Sequence, residues 1–142
     1  MANIENSPVK ESTSIAISIA PWLSVSNCIK AVEFYKSAFE ADEVYRLETA
    51  DGELMVARLS VKAAEFWVSG EPLENSSPDP DPNTKTSIRM ILTVPDPDTV
   101  FAQALQAGAS EIFPVGEDYG WRLGRLMDPF GHHWEIGHPL TK

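Results

Sequence analysis

At 142 residues, 43% hydrophobic and 23% charged, the chain is long enough to bury a real core in one domain and too apolar for wholesale disorder. Its formal net charge of −10 argues against nucleic-acid binding, which needs a basic face to neutralise phosphates. That charge favours a cationic ligand only where the acids line a pocket; elsewhere it makes a solvated surface. No apolar run approaches the ~20 residues of a membrane span, and the opening "MANIENSPVKES" lacks a signal peptide's apolar stretch. The single cysteine, Cys28, excludes an intrachain disulfide and fits a reducing compartment, so a cytoplasmic protein is expected.

Residues 1–13 are polar and aperiodic, and a flexible tail is expected there, ahead of one domain over 14–142. From Ser14, "SIAISIAPWLSVS" alternates and is β-branched, which predicts a strand. "NCIKAVEFYKSAFEA" then places Ile29, Val32, Phe34 or Tyr35, Ala38 and Phe39 at helical spacing, with Asn27 at the N-cap. Three strand-like runs follow, "EVYRLETA", "ELMVARLSV" and "AEFWVSG", and Asp51-Gly52 between the first two is a hairpin signal. Residues 71–85 carry prolines that remove backbone donors and acids that repel one another, which predicts an extended linker. The order then returns: strand "SIRMILTV", helix "PDTVFAQALQAGA" with Gly108 near its end, and strands "SEIF", "RLGRLMD" and "HHWEIGH".

Strand, helix, three strands is thus written twice, over about 15–70 and 86–139. "SAFEADEVY" echoes in "QALQAGASEIF", and "EFWVSG" in "HWEIGH". Two equivalent units suggest pseudo-twofold modules sharing one core and one cleft.

With that pattern, "PWLSVSNCIKAVEFYKSAFEA" and "LGRLMDPFGHHWEIGHP" resemble the opening strand-helix and closing hairpin of the vicinal oxygen chelate superfamily. This group comprises glyoxalase, bleomycin-resistance and dioxygenase proteins, and the closing hairpin is most similar to its PhnB-like subgroup. The resemblance implies an α+β fold of two βαβββ modules, with curved mixed sheets around a cup whose concave face carries the functional side chains. It does not choose a reaction, since one scaffold serves several chemistries.

The stretch "DPFGHHWEIGHP" raises the question of a metal. Alternation puts His133, Glu135 and Gly137 on one side of the last strand, and His132, Trp134, Ile136 and His138 on the other. Asp128-Pro129-Phe130-Gly131 reads as a turn that takes His132 with it, so the histidines do not converge. In metal-dependent relatives the resemblance implies one ligand from the first and last strand of each module. Glu135 matches the last-strand glutamate, whereas Arg89, Ala20 and Trp67 stand at the other three positions. A guanidinium, a methyl and an indole cannot ligate a divalent cation. No cofactor is therefore expected; Glu65 or His133 would have to rescue the site for a metal to bind.

The remaining pocket candidates come from alternation. Trp22 and Ser24 lie on the first strand, Glu65, Trp67 and Ser69 on the fourth, and Arg89, Ile91 and Thr93 on the first strand of the second module. Arg89 beside Glu135 would keep that carboxylate ionised, either as part of a ligand pocket or as a tie between strands. Trp22 and Trp67 are an aromatic wall for a planar or cationic ligand, or core filling. "EDYGW" reads as a loop bordering the cup, with Tyr119 and Trp121 as a gate or an edge plug. Cys28 at a helix start has no evident catalytic partner.

The sequence reading is a metal-independent small-molecule pocket, for binding, sequestration or an uncharacterised reaction. Two alternatives stand beside it: a metal-dependent glyoxalase-type lyase or dioxygenase, in which a cation polarises a substrate oxygen near Glu135, and a structural or regulatory homodimer without a pocket. A homodimer is expected, because a half-cup sheet leaves edges and apolar surface that pairing covers.

Overall fold

Asn27 caps the first helix as its place in the sequence demands. In the computed structural model, which describes residues 15–70 and 88–140, its side chain accepts from the Lys30 N–H at the start of α1 (Cys28–Phe39). The second helix, α2 (Pro97–Ala107), starts in the same way: Asp96 accepts from the Thr99 N–H, and Pro97 fills a first-turn position where no N–H is needed. Gly108, at a φ of 125°, ends it. Helix α1 buries both Phe34 and Tyr35, whereas Ile29, expected on the apolar face, is exposed. The expected tail (1–13) and linker (71–85) lie outside the described residues.

The strands are β1 (Trp22–Val25), β2 (Asp42–Glu48), β3 (Leu54–Val61) and β4 (Ala64–Gly70), then β5 (Met90–Thr93), β6 (Ser110–Asp118), β7 (Trp121–Met127) and β8 (His133–Pro139). They form two four-stranded mixed sheets of the same topology, β1-β4-β3-β2 and β5-β8-β7-β6. The first and last strand of each module are parallel neighbours and the rest are antiparallel. The α+β architecture of two βαβββ modules is therefore present, and neither sheet closes on itself.

Three strands differ from their expected lengths. β1 begins only at Trp22, because Pro21 has no N–H to continue the ladder; Ile15, Ile17 and Ile19 upstream are almost fully exposed. β5 begins at Met90 opposite Trp134, near where β8 itself begins, so Arg89 precedes the strand. β6 runs through Pro114 to Asp118, because Pro114 sits on an edge strand at a register shift between Phe113 and Gly116. As a result "EDYGW" is no loop. Tyr119 and Gly120, both at positive φ, make the tight tip of the β6–β7 hairpin.

The two modules share one core. The Trp134 ring of β8 lies 4.7 Å from Phe39 of α1 and 5.5 Å from Phe66 of β4, measured between ring centres. Leu59, Val68, Leu126 and Ile136 are fully buried around this aromatic cluster. Asp128, in the turn between β7 and β8, is also fully buried. Its carboxylate accepts from the Tyr35 hydroxyl, from Trp134 Nε1 (2.9 Å) and from the Phe130 and His132 N–H groups (2.9 Å each). A buried carboxylate is tolerated there because donors surround it. No helix among the described residues is long and apolar enough to cross a membrane.

Candidate functional site

Because the helices cover one face of each sheet, alternation leaves the other face for function, and strand register aligns it into rows. In the first module one lateral row crosses all four strands: Trp22 beside Trp67, Trp67 beside Arg58, Arg58 beside Tyr45. In the second module the matching row is Ile91, Glu135, Arg125 and Phe113. Both sheets carry a register shift at the same place, between Glu43 and Tyr45 and between Glu111 and Phe113. The repeat is therefore exact enough to pair residues: Trp22 with Ile91, Trp67 with Glu135, Arg58 with Arg125, Tyr45 with Phe113.

The first row is aromatic around a cation. Trp22 and Trp67 are stacked with ring centres 6.0 Å apart, and Tyr45 meets Trp67 edge-on at 5.8 Å. The Arg58 guanidinium lies 5.3 Å from the centre of the Trp67 ring, a cation–π arrangement, with Glu65 at 3.8 Å from its Nε. Trp67 is outside the hydrophobic core, so core filling does not describe it. Trp22 is 55% exposed and offers its free face to solvent. Ser24 lies on the same side of β1, and its carbonyl accepts from His132 Nε2 (2.8 Å).

The second row sets a polar pair, Glu135 and Arg125, between Ile91 and Phe113. Arg89 Nε meets Glu135 Oε1 at 3.0 Å, with the Arg89 side chain 44% exposed. The pair forms as its positions suggest, but it is half in water rather than buried. Arg125 has no carboxylate within ion-pair distance among the described residues; its Nη2 donates to Nδ1 of His133 at 3.1 Å. Since Nδ1 accepts, the proton of neutral His133 sits on Nε2. That Nε2 is buried without a hydrogen-bond partner, as are Nε of Arg125 and Nε of Arg58. Burial, and then the Arg125 charge, push His133 below its ordinary value and favour this neutral form. Each face thus holds at least one buried N–H that makes no hydrogen bond among the described residues.

A divalent cation does not suit these rows. The side chains lateral to one another at the first- and last-strand positions are Trp22 with Trp67 and Ile91 with Glu135. Register therefore replaces Ala20 and Arg89, reached by counting along the chain, with Trp22 and Ile91, and leaves one carboxylate. No group of three or more His, Cys, Asp or Glu converges among the described residues. Glu65 is turned to Arg58 and His133 to Arg125, so neither adds a ligand beside Glu135. His138 Nδ1 contacts the Pro139 carbonyl.

The other candidates are dispersed. Tyr119 is 94% exposed at the hairpin tip. Trp121 is half-buried at the start of β7, on the same side as Leu123 and Arg125. Cys28 is buried against the Val68 carbonyl, and burial raises its thiol above the ordinary value instead of activating it. Sequence reasoning missed Arg58 and Arg125. The signal was the repeated Arg-Leu of "VARLSV" and "LGRLMD", one step before strands already recognised as equivalent.

Comparison with known proteins agrees with this architecture. Residues 23–137 match the family model described as a glyoxalase-like domain. An uncharacterised protein of Mycobacterium tuberculosis, Rv0887c, is 34% identical over 142 residues, covering 94% of this chain and 83% of that protein. Among solved structures, TioX from Micromonospora sp. ML1 superposes with a TM-score of 0.66 at 26% identity, over 87% of this chain and 100% of that one. The PhnB protein of Bacillus cereus does so at 0.65 and 20% identity, over 88% of this chain and 100% of that one.

Proposed function

The chain belongs to the glyoxalase-like domain family, and on that footing we propose that it binds a small molecule on the helix-free sheet faces without a metal. The observation that carries this reading is the chemistry of the two rows. They offer aromatic faces with the part-exposed Arg58 guanidinium beside them, and their one carboxylate is already paired with Arg89. Such a surface suits a planar molecule with acceptor groups, stacked on Trp22 and hydrogen-bonded by an arginine, and it suits a bare cation poorly. Binding or sequestration is the simplest activity, since no nucleophile and base stand together among the residues of the rows. The buried, unpaired Cys28 supports a reducing, cytoplasmic setting. Exposed Ile15, Ile17, Ile19, Ile91 and Phe113 support a homodimer, because surface of this kind is normally covered by a partner.

The test is elemental analysis of protein purified without added metal, together with melting curves with and without chelator and a thermal-shift screen of planar carboxylic acids. The expected result is no stoichiometric metal, a melting temperature indifferent to chelator, and stabilisation by an acid that Arg125→Ala or Trp67→Ala abolishes. One tightly held equivalent of a divalent metal whose removal lowers the melting temperature would overturn the reading and favour the metal-dependent alternative.

A further inference from the structure

The two halves of the chain differ in one connection. β7 and β8 are joined by five residues, Asp128 to His132, whereas β3 and β4 are joined by two, Lys62 and Ala63. In the longer connection Phe130 packs against Phe34 of α1, ring centres 6.3 Å apart, and His132 Nε2 donates to the Ser24 carbonyl of β1. The edge of β1 is thereby closed by an aromatic ring and an N–H donor, and the groove that remains on this side, about 500 Å³ between Phe34, Ala107 and Phe130, reaches no residue of β1.

The shorter connection leaves the equivalent space open. A cavity of about 630 Å³ lies between Val61–Ala64, the β5 edge from Ile91 to Asp96, the α2 residues Val100 and Gln103, and the end of α1 at Ala38 and Phe39. That volume is in the range of small-molecule sites. Two of its walls have direct counterparts in the other half. Thr93 stands where Ser24 stands beside its last strand, and Gln103, at the same distance from its N-cap, stands where Phe34 stands. The lining is mainly apolar, and the charged groups along it (Glu40, Lys62 and Asp96) are all exposed. An apolar cavity of this size forgoes the contacts that its counterpart makes.

We propose that this cavity binds a flat aromatic molecule bearing an N–H donor, which takes the place that Phe130 and His132 fill in the other half. The ring lies between Ala63 and Val100, and the N–H is directed to the backbone edge of β5 away from β8, where the Thr93 carbonyl is equivalent to that of Ser24. This site is separate from the rows of the helix-free faces; only Ile91 is shared between them.

Indole and 1-methylindole are the probes, followed by backbone amide shifts in the 15N-labelled protein at fixed concentration. Indole is expected to shift Val61–Ala64, Ile91–Val94 and Val100, and 1-methylindole to bind about tenfold more weakly for want of one hydrogen bond. Ala63→Phe and Val100→Phe, made separately, fill the cavity and should each abolish the shifts, while Arg125→Ala and Trp67→Ala keep them. Shifts confined to Trp22, Trp67 and Arg125, binding unchanged in the filled variants, or no shifts at millimolar indole would each overturn the proposal without touching the reading of the helix-free faces. So would shifts at the same residues that depend on protein concentration alone, since a second copy of the chain would then be the occupant.

Discussion

The Tyr35 hydroxyl of α1 donates to the Asp128 carboxylate in the β7–β8 turn, and this one hydrogen bond joins the helix of the first module to the closing hairpin of the second. Both side chains are fully buried. Burial, and then the charge of Asp128, push the Tyr35 hydroxyl well above its ordinary value, so it remains the donor at neutral pH. Tyr35→Phe removes a hydrogen bond to a charged group while keeping the ring in the aromatic cluster. The expected loss is about 1.5–3 kcal/mol, measured by urea denaturation. Asp128→Ala should cost more, because it strands the Trp134 indole N–H and two backbone donors as well. A Tyr35→Phe variant as stable as the parent would show that this bond adds nothing to holding the modules together.

Arg89 and Glu135 give a smaller effect than their sequence positions suggest. A fully buried pair would lose roughly 3–5 kcal/mol on removal of one partner. With Arg89 lying ahead of β5 and 44% exposed, water can solvate whichever charge is left. Arg89→Ala is therefore expected to cost about 0.2–1 kcal/mol, read as a small shift of the urea midpoint with an unchanged slope. A loss of several kcal/mol would mean that the pair is buried in solution, by a partner subunit or by closure of the face.

His133 should make stability depend on pH. Its folded value lies below the unfolded value of about 6.5, through burial first and then Arg125, with Arg89 and His132 adding to the effect and Asp128 opposing it. The unfolded chain then binds the proton more readily than the folded one. The contribution is fully present above pH 6.5 and is lost as pH falls through the folded value. Urea midpoints taken from pH 7.5 down to 5 should fall for the parent protein. His133→Gln, which keeps an acceptor for Arg125 and does not titrate, should fall less. Parallel pH profiles for the two proteins would remove His133 as the source.

Local chemistry was legible in the chain before any contact was known. The caps at Asn27 and Gly108, the Asp51-Gly52 hairpin, the alternation that sends Trp134 inward and Glu135 outward, and the twofold repeat each depend on a few neighbouring residues. Those signals are short-range, so they survive without the fold, and they led to the βαβββ modules and to most strand positions. The strand expected at "SEIF" runs on through Pro114 because a proline stops a central strand but is tolerated at an edge, and only the sheet order says which strand is the edge.

Register was the quantity that one dimension could not supply. Which residue of β5 lies beside Glu135 depends on how two strands far apart in sequence slide against each other, and a shift of two residues separates Arg89 from Ile91. The same sliding aligned Arg58 with Trp67 and brought Arg125 to His133. The cavity beside β5 needed both halves folded, because the β3–β4 turn and the end of α1 form one side of it and β5 and α2 the other. Sequence by itself determined the elements and the faces they present, since these follow from local backbone preference and side-chain periodicity. The tertiary structure alone decided which side chains meet on those faces, since packing and strand pairing are set by contacts between residues that the chain keeps apart.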